Sequence, residues 1–344
     1  MKFSLLSSLK RRSTLAAWLA AALLFTGAKL PGADALPGYV VVPLVSIPRS
    51  NQAMMRVKVN DQSTMLIVDT GATDIALDQR LYAAARVRSR DAAPGQVPPQ
   101  ASQKFKYNGT ESAEVGYLDS FKAGGAELGK RRVSVLDMGG AFSSYNNMHQ
   151  QTAIGGLLGE DVLQDYAAVI DWRRRGVYLN VDRSKRMKLG AGFAAAGWTA
   201  VPMSPTNYRH FTVPCRVGGQ PARLVVDTGA SFTTFGKGIV PVTMLYNRAQ
   251  DTVSTGHLGS SAMVASMLGG DSTAYPGQVE HWKIGDYEIA SSVITVHTMP
   301  QWLREEQSAG EGPILGLLGC EILAGNNAII DIGGRTLYLK HPGR

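Results

Sequence analysis

Leu66-Ile67-Val68-Asp69-Thr70-Gly71-Ala72 constrains this chain more than any other stretch, because the same pattern returns at Leu224-Val225-Val226-Asp227-Thr228-Gly229-Ala230. One Asp-Thr-Gly-Ala tetrapeptide is expected by chance in roughly one chain in a hundred of this length, and two far more rarely. Downstream anchors repeat in register. Gly156-Leu157-Leu158-Gly159 is matched by Gly316-Leu317-Leu318-Gly319, Ala168-Val169-Ile170-Asp171 by Ala328-Ile329-Ile330-Asp331, and Val177-Tyr178-Leu179 by Leu337-Tyr338-Leu339. Asp227 follows Asp69 by 158 residues, and Gly319, Asp331 and Tyr338 follow their counterparts by 160. The sequence therefore predicts one half-chain fold written twice.

Short alternating strands separated by turn residues dominate both halves. Met55 to Val59 and Val213 to Val217 each lead through a turn, Asn60-Asp61 or Gly218-Gly219, into the strand that carries the motif. The class is mainly β. Residues 83 to 103, rich in Ala, Arg, Ser, Pro and Gln, read as an exposed excursion. The basic and Gly/Ala-rich stretch 183–198 reads as the linker between an N-terminal lobe, 36–182, and a C-terminal lobe, 199–344.

Residues 1–35 read as a signal peptide: a basic start, an apolar run from Leu15 to Gly27, and Ala33-Asp34-Ala35 as a cleavage site. The run is short for a bilayer span, so no stable membrane insertion is expected after its removal, with an uncleaved anchor as the alternative. Arg11-Arg12 also allows twin-arginine export. An exported protein, periplasmic or secreted, is expected. Without those residues the net charge falls from +8 to +4. Arg173-Arg174-Arg175 reads as a solvated turn, and no dense basic stripe suggests nucleic acid. Cys215 and Cys320, alone in the chain, leave both a disulfide and two buried free thiols open.

An Asp at the end of a buried strand, before Thr and Gly, sits on a tight turn where backbone can approach a symmetry-related partner. Two such turns face to face would bring two carboxyls within hydrogen-bond reach and leave them one shared proton. One Asp then takes a proton from water while the other donates to the carbonyl under attack. Neither a metal nor another cofactor is required. The histidines are scattered, with no His-Glu-x-x-His pattern, and the glycine stretches lack the Lys-Ser/Thr of a phosphate loop.

These residues resemble the aspartic proteases of the retropepsin and pepsin clan, over both halves of the chain. The resemblance implies two retropepsin-like β-barrel lobes related by pseudo-two-fold symmetry in a pepsin-like, single-chain layout. Ala72 and Ala230 are similar to the retroviral type. It implies Asp69 and Asp227 as the catalytic pair, Thr70 and Thr228 cross-bonded beneath them, and Gly71 and Gly229 approaching substrate. Leu158-Gly159 and Leu318-Gly319 would thread behind the two Asp loops. Flap candidates are residues 104–116, with Tyr107 as the aromatic, and residues 254–266. Asp74, one register position away from an acidic residue of retroviral relatives, is a candidate for bonding substrate backbone; lobe two has Phe232 there.

The implied activity is peptide-bond hydrolysis on an extended peptide or protein bound across the cleft, by a monomer. Two alternatives stand: a silent peptide-binding protein of the same fold, and an enzyme that pairs lobes between chains. With a methyl group after each Gly where a hydroxyl would stabilise the carboxylate, a mildly acid optimum is expected.

Overall fold

The structure is a computed structural model and describes residues 37–47, 50–89, 114–136, 138, 146, 153–186, 193, 195–236, 243–244, 275–290, 292–297, 299, 303 and 312–341. It is mainly β, with two sheet-rich lobes built on one plan. Tyr107, residues 104–113 and residues 254–266 lie outside the described residues, as does the 1–35 segment.

In lobe one, Ala53–Val59 and Gln62–Val68 form an antiparallel hairpin in which Val59 faces Gln62. Its two-residue turn puts Asn60 at φ 44° and Asp61 at φ 69°. Positive φ at both positions is what a tight hairpin turn needs to match strand twist, and Asn and Asp tolerate it. Lobe two repeats this with Phe211–Val217 and Gln220–Val226 around Gly218 and Gly219, at φ 57° and 78°.

Each motif-bearing strand has a neighbour on both sides. Gln62–Val68 runs parallel to Ile154–Leu158, and Gln220–Val226 runs parallel to Ile314–Leu318. Buried on both faces, a central strand has no reason to alternate, which accounts for the unbroken apolar run before each Asp. Ala76–Asp78 and Thr234–Gly236 then close onto the far side of Ile154–Leu158 and Ile314–Leu318.

The lobes share a sheet. Val169–Asp171 pairs antiparallel with Ile329–Asp331, with Ile170 opposite Ile330, so equivalent strands of the two halves meet at the pseudo-symmetry axis. Gly176–Asn180 and Tyr39–Ser46 extend the sheet on one side, Thr336–Leu339 and Thr199–Pro202 on the other. Tyr39, Val169, Tyr178, Trp198, Ile329 and Tyr338 cluster against it, with Phe193 packed on Tyr338 at 4.9 Å between ring centroids. The linker stretch 183–198 thus contributes apolar packing through Phe193 and Trp198. The Arg173-Arg174-Arg175 turn joins two strands of this sheet; Arg174 pairs with Asp171 at 3.2 Å and Arg173 lies over the Trp198 ring.

Both cysteines are free and buried. Cys215 lies in a strand of the lobe-two core, while Cys320 opens the helix Cys320–Gly325 and donates its thiol to the Thr228 carbonyl at 3.1 Å.

Candidate active site

The strand ends after Val68 and Val226 deliver Asp69 and Asp227 to the junction of the lobes. Each Asp N–H donates to the carbonyl of the threading segment, Asp69 to Leu158 and Asp227 to Leu318, both at 3.0 Å. Behind each loop a short helix begins directly after Gly159 or Gly319, where a Cβ would collide with the backbone of Asp74 or Phe232. The first helical N–H groups bond back: Glu160 to the Ala72 carbonyl and Cys320 to the Ala230 carbonyl, both at 2.8 Å. Leu158, Gly159, Leu318 and Gly319 therefore brace the loops from behind.

Thr70 and Thr228 lock the two loops to each other. Each hydroxyl donates to a carbonyl of the opposite strand, Thr70 to Val226 and Thr228 to Val68, at 2.7 Å. Each also accepts the other threonine's backbone N–H at 3.0 Å. Both side chains are buried, so neither bond competes with water.

Gly71 and Gly229 make room for the opposite carboxyl. A Cβ on Gly71 would lie 2.5–2.7 Å from the Asp227 carboxyl atoms, and one on Gly229 would fall on the Asp69 carboxyl. The resemblance implied that these glycines approach substrate; a side chain on either would also meet the partner acid. The two carboxyls are close enough to share a hydrogen bond, and only 8% of Asp69 and 6% of Asp227 is exposed.

Burial holds the Asp69 carboxyl well above the usual carboxylate range, and the charge of Asp227 pushes it further. Burial raises Asp227 as well, against the pull of two backbone donors. Gly71 N–H donates to Asp69 Oδ1 at 2.8 Å; Gly229 and Ala230 N–H donate to Asp227 Oδ1 at 2.8 and 3.1 Å. Ala72 and Ala230 thus offer their backbone N–H to the acids, as well as a methyl group. The result is a buried diacid that binds one proton more readily than two isolated aspartates would, a pair suited to giving and taking a proton across one small space.

Asp74 does not join them. Its carboxylate pairs with Arg132 at 3.6 Å, beside the helix Glu160–Asp165. Among the described residues no cluster of His, Cys, Asp and Glu is arranged to hold a metal ion.

Sequence reasoning missed a second set of cross-lobe contacts. Gln52 donates through Nε2 to the Gly229 carbonyl, and the buried His210 ring faces the backbone of Thr70 in the other lobe. Ser50 and Asn51 reach Ser231, Ser50 through its hydroxyl at 2.9 Å and Asn51 through Nδ2 to the carbonyl at 3.2 Å. The signal was present in the spacing: Gln52 and His210 are 158 residues apart, the offset of the two motifs. Unlike residue types hid the equivalence.

The family model described as aspartyl protease matches the chain twice, over residues 55–162 and 213–322, one match for each lobe. No curated protein matches the chain.

Proposed function

The chain belongs to the aspartyl protease family, and from that premise we propose that it is an aspartic endopeptidase whose reacting acids are Asp69 and Asp227. The observation that carries this reading is the pairing of two buried carboxyls across the lobe junction, each seated over a glycine of the other lobe. A buried diacid retains one proton at mildly acid pH. The ionised carboxylate takes a proton from water as the water oxygen bonds to the scissile carbonyl carbon; the protonated partner donates to the carbonyl oxygen. Collapse of the resulting gem-diol breaks the C–N bond, with a proton passing to the departing amine. Water and peptide are the only reactants.

The substrate would be an extended peptide, lying as a strand across the cleft between lobes of a single, monomeric chain. Export to the periplasm or the medium, through the segment 1–35, belongs to the same proposal; N-terminal sequencing of the mature protein tests it. The catalytic reading is tested with a denatured protein substrate at mildly acid pH. Wild type is expected to cleave it, and Asp69→Asn and Asp227→Asn to lose about a thousandfold or more in rate. Binding of peptide without turnover by the wild-type protein would sink the enzyme and leave a binding module.

A further inference from the structure

We propose that Gln52 and His210 are positioning residues for the dyad: each reaches across the lobe junction and fixes the peptide plane that presents a backbone N–H to the other lobe's aspartate. The proposal rests on the reading of Asp69 and Asp227 as the reacting pair. The geometry rests on the planarity of the peptide unit. The Thr70 backbone that His210 faces includes the carbonyl that shares its plane with the Gly71 N–H, and that N–H donates to Asp69 Oδ1 at 2.8 Å. The Gly229 carbonyl gripped by Gln52 shares its plane with the Ala230 N–H, which donates to Asp227 Oδ1 at 3.1 Å. Holding the oxygen of each unit therefore aims the N–H at the acid.

Both side chains are buried where the two lobes meet. Gln52 is 4% exposed and His210 3%. Each stands immediately before the first hairpin strand of its lobe, Ala53–Val59 or Phe211–Val217, at the end of a loop closed by its own backbone. In lobe one Ile47 N–H donates to the Gln52 carbonyl at 3.2 Å; in lobe two Thr206 N–H donates to the His210 carbonyl at 2.8 Å. Ser50 Oγ donates to Gln52 Oε1 at 2.9 Å, which fixes the amide so that Nε2 faces Gly229. The imidazole faces the backbone of the second motif residue, and the amide reaches the carbonyl of the third. Burial pushes His210 down to about 4, so at mildly acid pH the ring is a neutral donor, as the amide is.

Two measurements on the full chain test this. Amide exchange read by NMR needs no substrate: His210→Ala is expected to speed exchange of Gly71 N–H about tenfold or more and leave Ala230 N–H near its wild-type rate, while Gln52→Ala does the reverse. In peptide hydrolysis each Ala variant is expected to lower kcat about tenfold or more with KM within about twofold, and His210→Gln, which restores an amide donor, to recover most of the loss. Equal loosening of both loops, loosening confined to the substituted lobe, or no recovery with His210→Gln would overturn the proposal. If His210→Ala does not fold, Gln52→Ala and His210→Gln carry the same comparison. A wild type that turns over no peptide, with the crossed exchange pattern intact, would remove the protease reading and leave the positioning contacts standing.

Discussion

Thr70 and Thr228 bridge the two loops reciprocally at the base of the site: the Thr70 hydroxyl donates to Val226 O at 2.7 Å while accepting Thr228 N–H at 3.0 Å, and Thr228 does the mirror image toward Val68 O and Thr70 N–H. Because both ends are buried, one hydroxyl satisfies two backbone groups that have no access to water. Thr70→Val keeps the shape and orphans both. The expected loss is about 2–5 kcal/mol of unfolding free energy, whereas Thr70→Ser keeps both bonds and loses one methyl, about 1 kcal/mol. Urea denaturation at one fixed pH separates them; equal destabilisation by Val and Ser would mean that packing, not the cross-bond, holds the loops.

Space around Gly71 and Gly229 leads to a different kind of defect. An added methyl has to move the opposite carboxyl, because the atoms it meets belong to Asp227 or Asp69 themselves. Gly71→Ala and Gly229→Ala are therefore expected to keep the fold and lose about a hundredfold or more in kcat/KM, the cost of misplacing a reacting group by about an ångström. Circular dichroism alongside peptide hydrolysis checks both halves of the statement. Activity within about threefold of wild type would show that the pair tolerates displacement.

What could be read in the sequence divides along physical lines. The strand that leads into each Asp is local: an unbroken apolar run ending in Asp-Thr-Gly needs only short-range pattern, and its doubling forced a two-lobe fold. The Thr70–Thr228 link followed from the resemblance, because both threonines sit inside the repeated words. Gln52 and His210 escaped notice because their contacts span the lobes and Gln and His share no chemistry a pattern search would align. The pairing of Ile170 with Ile330 was readable as two matching segments but not as one shared sheet, since which strands meet at a symmetry axis is a property of three-dimensional closure. Asp74 shows what sequence proximity omits: the motif beside it suggested substrate, while the ion pair it makes is with Arg132, a residue 58 positions on. The sequence also assigned the expected mild-acid behaviour to the methyl groups of Ala72 and Ala230; the larger cause is the burial of both acids.

That burial fixes the direction of the pH dependence of turnover. Both carboxyls are raised from their ordinary values, Asp69 the more strongly, so the singly protonated pair persists toward milder pH than two solvated aspartates would allow. Peptide hydrolysis is expected to peak at mildly acid pH and to fall on the alkaline side as the shared proton is lost. A kcat/KM profile peaking below about pH 3 would contradict it.

The helix Glu160–Asp165 behind the Asp69 loop predicts a stability profile of its own. Glu160 is fully buried; burial lifts its carboxyl to about 8, aided by the charge of Asp161 and opposed by the Gln164 hydrogen bond and Arg209. Asp161 is lifted to about 7, and Glu321, which accepts the Thr233 N–H behind the other loop, also to about 7, in each case chiefly by burial. A folded-state value above the unfolded one means that the folded protein binds more protons. The stability these groups contribute is full below their ordinary values near 4 and is lost as pH rises through 7 to 8. His210 works in the other direction: lowered to about 4 by burial, it contributes stability that is present above its ordinary 6.5 and lost as pH falls through 4. Urea unfolding at pH 5.5 and 8.5 should therefore show a less stable protein at the higher pH. Glu160→Gln, which keeps an acceptor for Gln164 and cannot ionise, should remove up to a few kcal/mol of that difference. If Glu160→Gln leaves the difference unchanged, Glu160 is not the acid that resists ionisation there, and the slope belongs to the other raised acids, Asp161, Glu321 and the Asp69–Asp227 pair.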